Sequence, residues 1–191
     1  MRATEYIEEK TFEANDLPDG KLGLANYERC EFRGIDFSDK HLGGRVFSEC
    51  TFRSCNLSNA VVANASFRET AFIDSKLTGV DFRSCNEMLL SFSFSGCILD
   101  YAVFSGLTLK QTIFRKCSMI RTLFEDTDLS GSTFDECEIA SAVFIGTNLQ
   151  KADLSTCNEI TLDPERNKIK KAKFSLAGAL GLLGKYDIII E

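Results

Sequence analysis

The chain has 191 residues, 44% of them hydrophobic and 26% charged, which supplies a core and excludes a disordered chain. A net charge of −6 argues against direct nucleic-acid binding, since phosphates need Lys and Arg, and suits a basic protein partner. No apolar run is long enough to span a bilayer.

Met1 to Lys10 has no apolar stretch of the signal-peptide kind, so a cytoplasmic protein is expected. In that reducing setting the 8 cysteines are expected as thiols. From Phe12 onward a large apolar residue recurs at every fifth position. The run passes through Leu17, Leu22, Tyr27, Phe32, Phe37, Leu42 and Phe47, and continues unbroken to Phe82. Two residues before each of these centres lies a second patterned slot, often Ala or Cys: Ala25, Cys30, Cys50, Cys55, Ala60 and Ala65. A period of five is neither the 3.6 of a helix nor the 2.0 of a strand. It describes one side of a coil, with a large and a small residue pointing in and the other three pointing out. Phe12, Phe32, Phe52 and Phe72 also repeat at 20, which predicts four sides per coil and like residues stacked on like.

Lys40 and Arg45 occupy the small inward slot. Buried unpaired cations are not tolerated, so a bulge at Gly43 and Gly44 is expected to carry both to water. His41, the single histidine, is expected to point outward. Between Cys85 and Phe94 the phase slips by two, Glu87 replaces a centre, and a kink in the rod is expected. The pattern then resumes at Leu89, Phe94, Leu99 and Phe104 and holds to Leu154. All but one of the 16 phenylalanines fall on the phase, counting Phe174. Cys97, Cys117, Cys137 and Cys157 should stack as buried packing thiols. No CxxC occurs, so no metal site is expected.

Six acids lie between Thr122 and Gln150 with no base among them: Glu125, Asp126, Asp128, Asp135, Glu136 and Glu138. They form the candidate acidic partner surface. Because the four-sided coil spreads them around a girdle, local pairing of Arg115 with Asp135 and Lys116 with Glu136 is the competing expectation. Residues 158–167 break the phase at Glu159 and Pro164 as an irregular excursion, and Ile169 and Phe174 recover it. The repeat domain thus runs over 1–174 and a terminal unit over 175–191. In that unit Ser175 should cap a helix from Leu176 to Leu183 that ends at Gly184, with Tyr186 to Glu191 as a strand. The unit either caps the last coil or forms a dimer interface, with Leu176, Leu180, Leu183, Tyr186, Ile188 and Ile190 as the candidate residues.

One histidine, scattered outward carboxylates and no Gly-rich phosphate loop offer no constellation for catalysis. No enzyme, cofactor or metal site is expected.

Cys55-Asn56-Leu57, Asp128-Leu129-Ser130, Asn148-Leu149 and Ala152-Asp153-Leu154 match an A(D/N)LxX pattern. The chain thereby resembles the pentapeptide-repeat family from about Phe12 to Phe174. The resemblance implies an all-β fold, a right-handed quadrilateral parallel β-helix, here with a short C-terminal α-helix. About eight coils at roughly 4.8 Å each give a rod of about 40 Å. It implies a non-catalytic protein-binding scaffold. Qnr-type members dimerise through their C-termini and bind type II topoisomerases as DNA mimics. By that likeness a homodimer is expected, and DNA gyrase or topoisomerase IV is the candidate partner of the alternative reading. Neither irregularity here is long enough to be one of the projecting loops those members carry.

Overall fold

The computed structural model describes residues 5–17, 19–186 and 188–189. It is a parallel β-solenoid of four faces. Face 1 is a nine-stranded parallel ladder that begins at Thr11–Glu13 and ends at Lys173–Phe174. Its register pairs Phe12 with Phe32, Phe32 with Phe52, Phe52 with Phe72, Phe94 with Phe114 and Phe114 with Phe134. Face 4, which precedes face 1 in each coil, starts as a four-stranded ladder of Glu5–Glu8, Ala25–Glu28, Val46–Ser48 and Ser66–Arg68. Faces 2 and 3 join their coils by single parallel bridges, such as Asn56 to Lys76 and Val103 to Leu123.

The centres make the core: all are buried except Leu17, Ile169 and Phe174, half-buried, and Leu89, exposed. Phenylalanines stack face to face up the rod. On face 1 the rings of Phe32 and Phe52 lie 4.6 Å apart and those of Phe94 and Phe114 5.3 Å. Offset stacking at these separations adds to what burial alone provides. A second stack, Tyr27, Phe47 and Phe67, rises on face 4. From Phe82, just before the slip, it moves to face 3, continuing as Phe104, Phe124 and Phe144.

The slip itself is a two-residue insertion. Phe72 pairs with Phe94, not Phe92. Leu89, expected as a buried centre, is 70% exposed with φ +62°. Phe92 takes the vacated interior, 5.5 Å from Phe67 and 5.2 Å from Phe82, and joins the old stack to the new one. The register of face 1 runs straight through.

Most corners turn on the second residue after the centre, held at positive φ: Asp39 at 56°, Glu49 at 53°, Asn59 at 53°, and Gly44 at 72°. The left-handed region costs an L-residue about 1–2 kcal/mol. The ladder recovers that cost, because each corner N–H then reaches the next coil, as from Asp39 to the Ser58 carbonyl at 2.9 Å.

The excursion keeps the core continuous. Ile160 and Leu162 bury where Glu159 and Pro164 break the phase. Asn167 turns inward, donates to the Phe144 carbonyl at 2.9 Å and accepts from the Thr147 amide at 2.9 Å. The terminal helix α1 covers Leu176–Gly181, shorter than expected, with Ser175 accepting from the Gly178 amide at 2.9 Å. Its C-cap is Leu182; Gly184 instead opens a 3-10 turn over Gly184–Tyr186. Tyr186 therefore belongs to that turn rather than to a strand, and Ile188 and Ile189 have no regular structure.

Candidate interaction surfaces

The small inward slot has a chemistry that its size does not reveal. At most positions where it holds Ser, Thr or Cys, the side chain reaches the carbonyl of a large centre one coil below; Cys117 and Cys137 bond instead within their own coil, to Arg115 and Asp135. Thr127 donates to Phe104 at 3.0 Å, Ser132 to Leu109 at 3.0 Å, Ser75 to Phe52 at 3.1 Å and Cys55 to Phe32 at 3.3 Å. Buried carbonyls seek such donors. All eight cysteines are free and buried. Burial pushes the Cys50 and Cys85 thiols up to about 12 and those of Cys55 and Cys157 up to about 11. Thiols held protonated in this way are poor nucleophiles and poor metal ligands.

No bulge forms at Lys40 and Arg45. The Lys40 amide closes a regular turn onto Phe37 at 3.1 Å, and the Ser66 amide reaches the Arg45 carbonyl at 2.8 Å. Arg45 stays half-buried because its guanidinium caps the first coil. Nε donates to the Gly23 carbonyl at 2.9 Å, Nη1 to Gly43 at 3.0 Å and Nη2 to Leu22. The Tyr27 hydroxyl joins them on Gly23 at 2.9 Å. Burial lowers the pKa of Arg45 and raises that of Tyr27 to about 12. Lys40 is half-buried, and His41 points outward in a bridge with Val61.

The acidic girdle encircles one coil. Three of its members are paired with the coil below: Asp135 with Arg115 at 2.9 Å, Glu136 with Lys116 at 3.7 Å, and Asp128 with Lys110 at 3.5 Å. Asp128 also accepts from Asn148 at 3.0 Å. Glu125, Asp126 and Glu138 are exposed and have no ion pair among the described residues. They sit on different sides, Glu125 and Asp126 at the corner leaving face 3 and Glu138 on face 2.

The C-terminal surface is apolar and open. Leu176 is 84% and Ile189 89% exposed, and Leu180, Leu183, Tyr186 and Ile188 are all exposed with them. Ile190 lies outside the described residues. Gly178 packs this unit onto the last coil, where an added Cβ would meet the Cys157 carbonyl at 3.1 Å. Lys185 bonds Asp163 at 2.8 Å and Glu165 at 2.7 Å.

Sequence reading missed the charge on face 4. Above the insertion its outward positions hold Lys110, Lys151, Lys168, Lys170 and Lys171, all exposed. Spaced across the chain, they become one patch only after folding.

No group of His, Cys, Asp or Glu among the described residues could hold a metal ion, and none of their helices is long and apolar enough to cross a membrane.

Residues 45–119 match the family model of a pentapeptide repeat region, and residues 117–158 that of pentapeptide repeats in eight copies. Neither model describes an enzyme. The chain belongs to the pentapeptide-repeat family. Among solved structures it is similar to trypsin-treated QnrB1, a plasmid-mediated fluoroquinolone resistance protein, at 23% identity and a TM-score of 0.52. That match covers 100% of this chain and 93% of that one. Another match is HetL from Nostoc sp. strain PCC 7120, involved in heterocyst differentiation regulation, at 14% identity and a TM-score of 0.36, covering 89% and 83%. The likeness to QnrB1 shows the fold. No curated protein matches significantly.

Proposed function

We propose that this chain is a rigid, non-catalytic scaffold that binds a protein partner along its faces and joins a second copy end to end through its C-terminal unit. The observation that carries the second half is the open surface of Leu176, Leu180, Leu183, Tyr186, Ile188 and Ile189 at the end of an otherwise closed core. A contiguous apolar surface of that kind marks an association site. The matching unit on a second copy would cover it and double the rod. Leu176→Asp with Leu180→Asp tests this, since both side chains are exposed and the coil beneath stays intact. Small-angle scattering should show the maximum dimension fall to about half as the dimer is lost. An unchanged length would sink the end-to-end pairing.

A second reading is that the rod replaces DNA on a type II topoisomerase, gyrase or topoisomerase IV. It is favoured by Glu125, Asp126 and Glu138, the exposed acids without ion pairs. The pairing of Asp128, Asp135 and Glu136 weighs against a continuous acidic face. Supercoiling by gyrase, with and without a fluoroquinolone, decides. Inhibition relieved by Glu125→Gln with Asp126→Asn supports the reading, and no inhibition removes it.

A further inference from the structure

Face 4 is sorted by charge about the insertion. Below it lie the exposed Glu5, Glu8, Glu9, Glu49 and Glu69 and the half-buried Glu28, against Arg29, the half-buried Arg68 and the capping Arg45. Arg29 serves Glu8 at 3.6 Å, Glu9 at 3.2 Å and also Glu28, which leaves that cluster acidic. Above it lie Lys110, Lys151, Lys168, Lys170 and Lys171, against Asp128, which pairs with Lys110. Apart from Lys110, none of these lysines has an ion pair among the described residues. A lone surface pair is worth little, but a face divided this way carries a field that orients whatever approaches it.

The divide carries an apolar pair beside the exposed Glu87. Met88 is 66% and Leu89 70% exposed, and together they project from face 4. A hollow of about 430 Å³ adjoins Leu89 on the lower side, lined also by Glu49, Arg68 and Glu69. A second of the same volume lies higher on the face, lined by Lys110, Asp128 and Lys151. The position is central. Ile7, Tyr27, Phe47 and Phe67 mark the levels of face 4 below the insertion. Leu109, Leu129, Leu149 and Ile169 mark the same number above it.

A surface that is acidic at one end, basic at the other and apolar in the middle is complementary to itself when turned end for end. A two-fold axis through the insertion and across the rod sets Glu8 and Glu9 against the partner's Lys170 and the partner's Lys171. It also brings Met88 and Leu89 of both copies together. A parallel arrangement would set acid on acid. A nucleic acid spanning the face would be repelled by its lower half. We propose that face 4 docks a second copy of this chain in antiparallel, isologous fashion, with an apolar centre and two charged ends. This lateral contact shares no residue with the C-terminal one.

The test uses the full chain carrying Leu176→Asp and Leu180→Asp, so that any remaining association is lateral. Sedimentation equilibrium at low salt should find a dimer that weakens as salt rises. Charge reversal at one end, Lys170→Glu with Lys171→Glu, and separately at the other, Glu8→Lys with Glu9→Lys, should each weaken it by about tenfold or more. Mixing the two reversed proteins should restore dimerisation, because each then offers the other the charges it lost. Leu89→Asp should abolish the dimer, and circular dichroism confirms that each variant is folded. A chain monomeric at low salt, or a mixture that stays monomeric, overturns the proposal. Failure of the end-to-end reading appears separately, as no effect of the two leucine substitutions on the parent chain.

Discussion

Thr127 shows what an inward slot does beyond filling space. Its hydroxyl donates to the Phe104 carbonyl at 3.0 Å and is itself buried. Thr127→Val keeps the volume and removes that bond, while the Phe104 carbonyl keeps the Leu107 amide at 3.2 Å. Denaturant unfolding should therefore report a loss of about 0.5–1.5 kcal/mol, the net worth of one hydrogen bond, rather than the larger cost of an unmet buried group. No loss would mean that the hydroxyl only fills space. The slot's spacing was legible in the sequence because it alternates in size with the centres. Its bonds were not, because donor and acceptor stand 23 residues apart and meet only once the coils are stacked.

At the scale of the element, Arg45 replaces strand pairing where the first coil has none. Its guanidinium takes the Leu22 and Gly23 carbonyls, which face the second coil without a ladder. Arg45→Met should lower hydrogen-exchange protection in residues 20–28 far more than in residues 100–120. Arg45→Lys should rescue only in part, because a compact ammonium lacks the planar fork that reaches the Gly23, Gly43 and Leu22 carbonyls together. The sequence marked this position as anomalous, correctly, but the inference of a bulge assumed that a cation must escape to water. Backbone acceptors were near enough to keep it. Leu89 misled for the opposite reason. It holds the right phase, but the added residues let the larger Phe92 claim the interior, and its tilted and edge-on ring contacts with Phe67 and Phe82 outweigh the five-residue count. The last rung offers a pH test. A bond from Lys173 at 2.8 Å holds the Asp153 carboxyl down to about 2. A depressed folded-state pKa contributes stability that is present above the unfolded value of about 4 and lost as pH falls through the folded one. Protection of the Lys173 amide should therefore decline between about pH 4 and 2, and Asp153→Asn should remove that dependence. A decline of the same size in the variant would assign the effect elsewhere.

For the whole molecule, the four-sided coil and its closed core could be read from spacing alone, since every large side chain reports the same period. The surfaces could be read only in part. The spacing already spread the acids at 125–138 around a girdle and pointed to the Arg115–Asp135 and Lys116–Glu136 pairs, which the fold forms; the pair of Asp128 with Lys110, 18 residues apart, escaped it. The lysines of face 4 looked dispersed, yet the fold gathers them. A solenoid hides adjacency at intervals of about 20 residues, and a two-residue insertion changes that interval once.

The hydrogen bonds between coils run along the rod, from Asp39 to Ser58, Asn59 to Thr78 and onward. Tension between the two ends therefore loads these rungs in series, and each coil has only its neighbours to hold it. The molecule should extend under force as a stepwise unwinding from an end. Each released coil of 20 residues lengthens it by at most about 61–67 Å once its own rung height is subtracted, and the coil bearing Met88 and Leu89 gives one step longer by about 7 Å. Optical-trap records would show that single longer step as a position marker within an otherwise even series, and its absence would mean that several coils let go together.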